Sequence, residues 1–304
     1  MGDEGDRDRE PRPSGGLRAW TTFFRTRLLP TPWLNATTGA IACGALFAPP
    51  ALVDAALGFF ALTALYCFGM GLNDWCDRER DRTIAPTRPL PSGAIDPARA
   101  LFALATCLAV ATLAVALLPL RCAPWGAAIL ATILLYDALL KDHAWLGPLA
   151  MGSVRSAVVL FGGSLVGEVD PATIPALIIG GHGFWVTRYS MEEERARPAV
   201  LAGRARAISA HSLAAFFITA TFLETSWWWH LGWVPLLVFW GALEPSRRLH
   251  PPGWFTFRSL RALLLLDGAL QLSYNSPFSA LLCLLAFLWT GRAPRSSGAT
   301  GPRE

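Results

Sequence analysis

Apolar residues in this chain gather into continuous runs, the longer ones about 16 to 21 residues, and this constrains the fold more than any other feature. A helix of that length crosses a hydrocarbon core of about 30 Å. Inside lipid only helices and closed barrels satisfy every backbone N–H and C=O. The runs do not alternate with period two, so they read as helices. Composition agrees: 53% of the 304 residues are hydrophobic and 16% charged, where a soluble domain carries about 25% charged residues. Mean hydropathy is +0.39. The expected spans are residues 33–48, 52–72, 98–118, 123–140, 146–166, 173–186, 207–223, 229–243, 260–272 and 277–290. The predicted fold class is all-α, a polytopic membrane bundle of nine to ten transmembrane helices. It has nine if the short ninth run and the tenth form one broken unit.

Orientation follows from the placement of basic residues, which are retained on the cytoplasmic side. Of the 26 Lys and Arg residues, all but Arg121 and Arg155 fall in the two tails, in the loops after the even-numbered spans or, for Arg99 and Arg261, at the second residue of the span that follows such a loop. Both termini are therefore expected to be cytoplasmic, in a multi-pass protein of a bacterial plasma membrane. The formal net charge of +4 carries no substrate preference, and basic residues distributed in this way give no sign of nucleic-acid binding. Residues 1–27 lack an apolar core and read as a disordered cytoplasmic tail, not a cleaved signal. Residues 28–291 form the transmembrane domain, and 292–304 a second disordered tail. Trp227, Trp228, Trp229 and Trp233 cluster at one outer boundary, as interfacial anchors do. The six cysteines form no CxxC pair. Most lie inside apolar runs and read as small buried hydrophobes.

The chemistry gathers where the second span reaches the cytoplasm. Asp74, Asp77 and Asp81 are spaced i, i+3, i+7, which puts three carboxylates on one helix face, with Asn73 close to it. Like charges stacked so closely repel and require a compensating cation. Arg78, Arg80 and Arg82 offer a purely structural compensation. Mg²⁺, a hard cation that takes oxygen ligands and shares its coordination with substrate phosphates, offers a functional one.

A second element stands a few residues downstream, Arg88-Pro89-Leu90-Pro91-Ser92-Gly93. The combined pattern, NDxxDxxxD then RPLPSG, resembles the first signature of the UbiA superfamily of intramembrane prenyltransferases. The resemblance implies Mg²⁺ held by Asn73, Asp74, Asp77 and Asp81. Its substrate would be an isoprenyl diphosphate, with Arg82 and Arg88 near the head group. Tyr136 and Lys141, at the end of the fourth span, match a tyrosine–lysine element of the family, and Arg155 matches a basic residue entering the fifth helix. The family role implied for Lys141 and Arg155 is contact with the diphosphate, stabilising the charge that develops as it leaves. From the residues alone, Lys141 also reads as a snorkelling membrane-end lysine, and Arg155 as a partner of Asp137. Asp267, inside the ninth span, must be paired or face a cavity.

The family's second acidic motif, an aspartate cluster that binds a second Mg²⁺, comes after the sixth span. This chain has Thr187-Arg188-Tyr189-Ser190-Met191-Glu192-Glu193-Glu194 there, without aspartate. Its T-x-x-S-x-E pattern is similar to that of the EboC-like branch. Successive glutamates point about 100° apart on a helix, so all three cannot serve one site. Glu192 and Glu193 are the best placed metal ligands, with Tyr189 as a neighbouring substrate contact.

The implied activity is Mg²⁺-dependent transfer of a prenyl group to an aromatic or other small acceptor. Asp137 is a conceivable base, and Trp75, Phe68 and Trp185 are available to stabilise an allylic cation. The alternative is a non-catalytic relative that binds a prenyl lipid or metabolite and helps it across the bilayer. The DG…AR…G…D…D run of a CDP-alcohol phosphotransferase is absent.

Overall fold

The computed structural model describes residues 16–46, 48–194, 198–223, 227–246 and 253–291. Among them are twelve α-helices: α1 (Leu17–Phe23), α2 (Pro30–Ala42), α3 (Leu52–Cys76), α4 (Arg78–Ile84), α5 (Pro97–Leu117), α6 (Ala123–Leu135), α7 (Leu146–Ser164), α8 (Thr173–Glu194), α9 (Pro198–Phe222), α10 (Val234–Ser246), α11 (Trp254–Ser273) and α12 (Pro277–Gly291). α2, α3 and α5 to α12 fall on the ten expected spans, and the fold is an all-α membrane bundle.

Among the described residues, four stretches are long and apolar enough on their own to cross a bilayer: Leu52–Cys76, Pro97–Leu117, Leu120–Leu140 and Leu146–Ser164. The helices α8, α9 and α11 are less apolar because they carry polar residues such as His182, Ser212, Asp267 and Gln271, all buried against other helices. Burying them within the bundle keeps those groups out of lipid. The lipid-facing surface is the reverse. Leu101, Phe102, Leu113 and Leu117 of α5 and Leu281, Leu285, Leu288 and Trp289 of α12 are exposed. Patches of that size are expected on a protein whose solvent is hydrocarbon.

Two hydrophobic cores share α7. One joins α2, α3, α5, α6 and α7 around Leu62, Leu65, Phe68, Leu104, Ile129 and Phe161. The other joins α7 to α11 around Ile179, Ile208, Trp233, Leu236, Leu263 and Leu266. The helices α2 and α7 cross so closely that a Cβ on Gly39 would collide with the Val159 carbonyl, and one on Gly162 with that of Ala36. Only glycine permits this crossing, which holds the α7 residues of the site against α2.

Several boundaries differ from expectation. The first span starts earlier, at Pro30, and ends at Ala42, because Gly44 takes a left-handed φ of 91°. α11 and α12 are separate helices, broken by a turn in which Asn275 has φ 60°. Trp233 is fully buried and donates to Ser273 Oγ, so it is a core residue and not an interfacial anchor. Trp227 and Trp228 are exposed as expected, and the Trp229 side chain is outside the described set.

The largest correction concerns the N-terminal tail. From Leu17 onward it is folded: Trp20, Phe23 and Phe24 sit at helical spacing and pack with Leu90, Ile95 and Ala100. Their amphipathic pattern is masked in the sequence by the surrounding arginines. Residues 1–15 and 292–304 lie outside the described residues.

Candidate functional site

The helix α3 runs the whole span and carries the acidic motif out of it. It ends at Cys76, and Asp77 joins it to α4 without losing the ladder: the Asp77 N–H donates to the Asn73 carbonyl at 3.0 Å, and Asp81 N–H to the Asp77 carbonyl at 2.8 Å. The three aspartates thus remain together despite the break. Beyond α4 the chain folds back. The Ile95 N–H donates to the Pro89 carbonyl at 3.0 Å, Leu90 and Ile95 are buried, and Gly93 supplies a φ of 75°. That left-handed turn is why glycine ends the motif, and it returns Arg88 toward the acids.

On the facing side, α6 passes into a π-helical turn, Tyr136–Leu140. The wider turn re-aims the side chains beyond it. Asp137 accepts from Asn73 Nδ2 at 2.9 Å, and the Lys141 ammonium donates to Asp77 Oδ1 at 2.6 Å.

Each acid of the motif is held by a different cation. Arg25 donates to Asp74 Oδ1 at 2.7 Å, with Arg88 3.9 Å from the same oxygen. Lys141 holds Asp77, and Arg88 holds Asp81 through Oδ2. Asp81 Oδ1 is buried and accepts no hydrogen bond among the described residues. Arg25, in the sequence only one of the topological charges, is part of the site. It occupies a left-handed backbone position at φ 46° between α1 and α2, and Tyr66 donates its hydroxyl to the Arg25 carbonyl at 3.0 Å. No sequence motif marks it; the amphipathic helix before it is the available signal.

Behind the acids lies a cavity of about 150 Å³. One face of α3 lines it from Leu62 through Leu65, Tyr66, Gly69 and Met70 to Asn73, and Ile129, Ile133, Tyr136 and Asp137 line it from α6 and the π-turn. Met151, Val154, Arg155 and Val158 of α7 close it, with Pro32 and Arg25 at the remaining side. These positions recur every three to four residues on each helix, so each helix offers one face. From Asn73 to Leu62 the cavity runs about 16 Å along α3, polar at the acidic end and apolar beyond.

Asn73, Tyr136, Asp137 and Arg155 thus share one cavity with Arg25, which links it to the acidic motif through its bond to Asp74. Arg155 does not pair with Asp137. Its Nη1 donates to Thr31 Oγ1 at 3.0 Å and to Asn35 Oδ1 at 3.3 Å, both on α2. Arg82 is exposed and pairs with Glu79, away from the cavity lining. Trp75, Phe68 and Trp185 pack into hydrophobic clusters. The aromatic rings that do line the cavity are Tyr66 and Tyr136.

The second motif is arranged differently. Glu192 is buried, 3.6 Å from the Arg188 guanidinium one turn earlier, and Arg188 stacks over the Trp145 ring at 4.8 Å. Glu193 turns toward α11 and accepts from Thr256 at 2.6 Å. Tyr189 is buried against Phe255, with ring centroids 4.3 Å apart. Glu192, Glu193 and Tyr189 therefore face three different surroundings, and none lines the cavity. Among the described residues, no three His, Cys, Asp or Glu side chains converge to hold a metal without help from a ligand.

The UbiA prenyltransferase family profile matches residues 34–251. Digeranylgeranylglyceryl phosphate synthases are among the related sequences. That of Halobacterium salinarum is 33% identical over 131 residues, 43% of this chain and 46% of the relative. That of Methanothrix thermoacetophila is 30% identical over 141 residues, 46% and 51%. The chain spans about half the length of these relatives. Two solved structures share the fold. A UbiA homologue from Aeropyrum pernix K1 superposes with a TM-score of 0.60 at 17% identity, covering 87% of this chain and 98% of that one. A homologue from Archaeoglobus fulgidus bound to GPP and Mg²⁺ superposes with a TM-score of 0.57 at 14% identity, covering 85% and 99%. The match extends over most of the chain and includes the acidic motif, the returning loop and the cavity helices: this chain belongs to the UbiA prenyltransferase family.

Proposed function

We propose that the protein is a Mg²⁺-dependent intramembrane prenyltransferase that moves an isoprenyl group from a prenyl diphosphate to a small acceptor. The observation that carries this reading is the polarity of one cavity. Its polar end is lined by Arg25, Asn73 and Asp137, beside the ion pairs that Asp74, Asp77 and Asp81 make with Arg25, Lys141 and Arg88, and its walls beyond are mostly apolar. A diphosphate with a hydrocarbon tail has the same polarity.

The donor set suits Mg²⁺. Asn73, Asp74, Asp77 and Asp81 offer hard oxygens, and Asp81 Oδ1 is a buried anionic oxygen without a hydrogen-bond donor among the described residues. Mg²⁺ is ordinarily held by one or two carboxylates completed by substrate phosphates, so a full protein cage is not needed. When bound, it would neutralise the diphosphate and make it a better leaving group. The chain's own cations do related work. Lys141 and Arg88, released from Asp77 and Asp81, and Arg155 at the cavity wall stabilise the charge that collects on the diphosphate as the prenyl C–O bond breaks. The electron pair of that bond leaves with the diphosphate. The acceptor nucleophile then forms the new bond to the prenyl carbon and gives up its proton, for which Asp137 is the carboxylate lining the cavity.

The acidic mouth lies on the cytoplasmic side of a bacterial plasma membrane, with the N-terminus on that side. The catalytic unit is residues 17–291, because α1 and Arg25 belong with the site. The relatives are named for digeranylgeranylglyceryl phosphate, so a glyceryl phosphate acceptor joins the phenolic ones to be tried.

One observation favours binding or transport without turnover: Glu192 and Glu193 of the second motif are held by protein partners, Arg188 and Thr256. Calorimetric binding of geranylgeranyl diphosphate to purified protein, with and without Mg²⁺, tests the shared premise. Binding that requires Mg²⁺ and is lost in Asp77→Ala is expected. Absence of binding at every prenyl chain length overturns both readings.

A further inference from the structure

The buried carboxylate of Asp267 has no place in the site described above, yet it is joined to the cavity by two side chains. It lies on α11, wholly buried, and both oxygens are bonded from α2: Asn35 Nδ2 donates to Oδ2 at 2.7 Å and Thr38 Oγ1 to Oδ1 at 2.7 Å. Thr38 also accepts from Gln271 Nε2 at 2.9 Å. The other end of the Asn35 amide, Oδ1, accepts from Arg155 Nη1 at 3.3 Å. Asn35, Thr38 and Gln271 are themselves fully buried, so no bulk water substitutes for these bonds.

The donor and acceptor inventory permits one arrangement. A guanidinium only donates, and a carboxylate only accepts. An amide placed between them must turn its NH₂ to the carboxylate and its oxygen to the guanidinium. Asp267 therefore sets the orientation of Asn35, and Asn35 in that orientation holds Arg155. Among the described residues, Arg155 makes its protein hydrogen bonds through Nη1, and the side chain lines the cavity. One corner of the guanidinium is anchored on α2, and the rest is available to a ligand. The negative charge two links away also offsets the buried cation, which lowers the cost of keeping it inside the membrane.

We propose that Asp267 and Asn35 are positioning residues for Arg155: the carboxylate fixes the amide, and the amide aims the guanidinium at the substrate in the cavity. This rests on the reading of Arg155 as a prenyl-diphosphate contact. Asp267→Asn removes the constraint, because two facing amides can then invert together and turn an NH₂ group toward Arg155. The exchange Asn35→Asp with Asp267→Asn restores it. The carboxylate, moved to α2, would accept from both Arg155 and the new amide on α11, whose oxygen would still accept from Thr38.

The test is a set of purified variants: Asp267→Asn, Arg155→Met, the two together, and the exchange. Each is measured for prenyl-diphosphate affinity with Mg²⁺ and for thermal unfolding midpoint. Asp267→Asn should weaken affinity about tenfold, the size of couplings within one hydrogen-bond network. It should add no further loss beside Arg155→Met, and the exchange should return affinity to within about threefold of wild type. An equal tenfold loss in the Arg155→Met background, or an exchange variant that folds but binds no better than Asp267→Asn, overturns the proposal. If the wild type binds no prenyl diphosphate, the prenyltransferase reading fails and the midpoints decide the inference separately. Asp267→Asn should lower the midpoint with Arg155 present. In the Arg155→Met background, where the carboxylate has lost its countercharge, it should leave the midpoint unchanged or raise it. Equal shifts in both backgrounds contradict the inference.

Discussion

Replacing Lys141 by methionine nearly keeps the length of the stem and removes the ammonium from Asp77 Oδ1, 2.6 Å away. The side chains are 19% and 12% exposed, so the pair is mostly, but not wholly, removed from water. At an effective dielectric of about 20, two unit charges 4 Å apart attract by about 4 kcal/mol, and desolvation of the two ions offsets most of that. The pair as a whole is therefore close to neutral relative to an uncharged pair. Breaking it from one side is not neutral. A deeply buried unpaired charge costs about 3–5 kcal/mol. Water entering from the open mouth reduces the figure for Asp77, to about 2 kcal/mol.

For a chain of this size that is a fall of about 3 °C in unfolding midpoint, read at a fixed scan rate in detergent. Asp77→Asn in the same chain should recover most of the loss, because no charge is then left unpaired. Mg²⁺ should raise the midpoint of Lys141→Met more than that of wild type, because the metal no longer displaces an internal cation from Asp77. A Lys141→Met midpoint equal to wild type, or losses from the two substitutions that simply add, would show that the ammonium and the metal do not contend for one carboxylate.

Other expectations come from the packing and the topology. Gly162→Leu forces a side chain into the Ala36 carbonyl. It should separate α2 from α7 at a cost of about 3 kcal/mol or more, seen as a lower unfolding midpoint and weaker prenyl-diphosphate binding, because Arg155 and Asn35 move apart. Cys76, the one exposed cysteine among the described residues, stands at the acidic end of α3. A membrane-impermeant maleimide should label it in inside-out vesicles and not in right-side-out ones, with Cys76→Ser as the blank. Labelling from the outer side would invert the orientation.

What the sequence reveals and what it conceals have separable physical causes. Helices in lipid announce themselves through uninterrupted apolar length, so the spans expected for α3, α5, α6 and α7 lie within a few residues of the helices observed. The acids of the first motif are legible because their spacing along one helix already implies their grouping; Arg88 and Lys141 are legible through the family resemblance, Lys141 standing 64 residues from its partner Asp77. Arg25 is not, since its role depends on α1 folding back beneath the returning loop, and its partner Asp74 is about fifty residues away. The amphipathic cue, Trp20 with Phe23 and Phe24, lies in a stretch of high charge. The need of Asp267 for a partner is plain from its place in an apolar run. The identity of that partner, Asn35 on the first span, depends on a helix crossing that no local pattern encodes. The second motif shows in sequence as three glutamates on different faces, and in the structure Glu192 and Glu193 have separate partners.

A transferase differs from a mere binding protein in one respect: its cavity breaks the prenyl diphosphate that it holds. The difference is read directly as release of inorganic diphosphate from geranylgeranyl diphosphate by purified protein with Mg²⁺. The assay runs across a panel of phenolic and glyceryl phosphate acceptors, with the prenylated product identified by mass. Acceptor-dependent release matched by an equal amount of product is expected, both abolished in Asp81→Ala. Mg²⁺-dependent binding without release or product under any acceptor would contradict the transferase reading, leaving a chain that holds the prenyl lipid and does not transfer it.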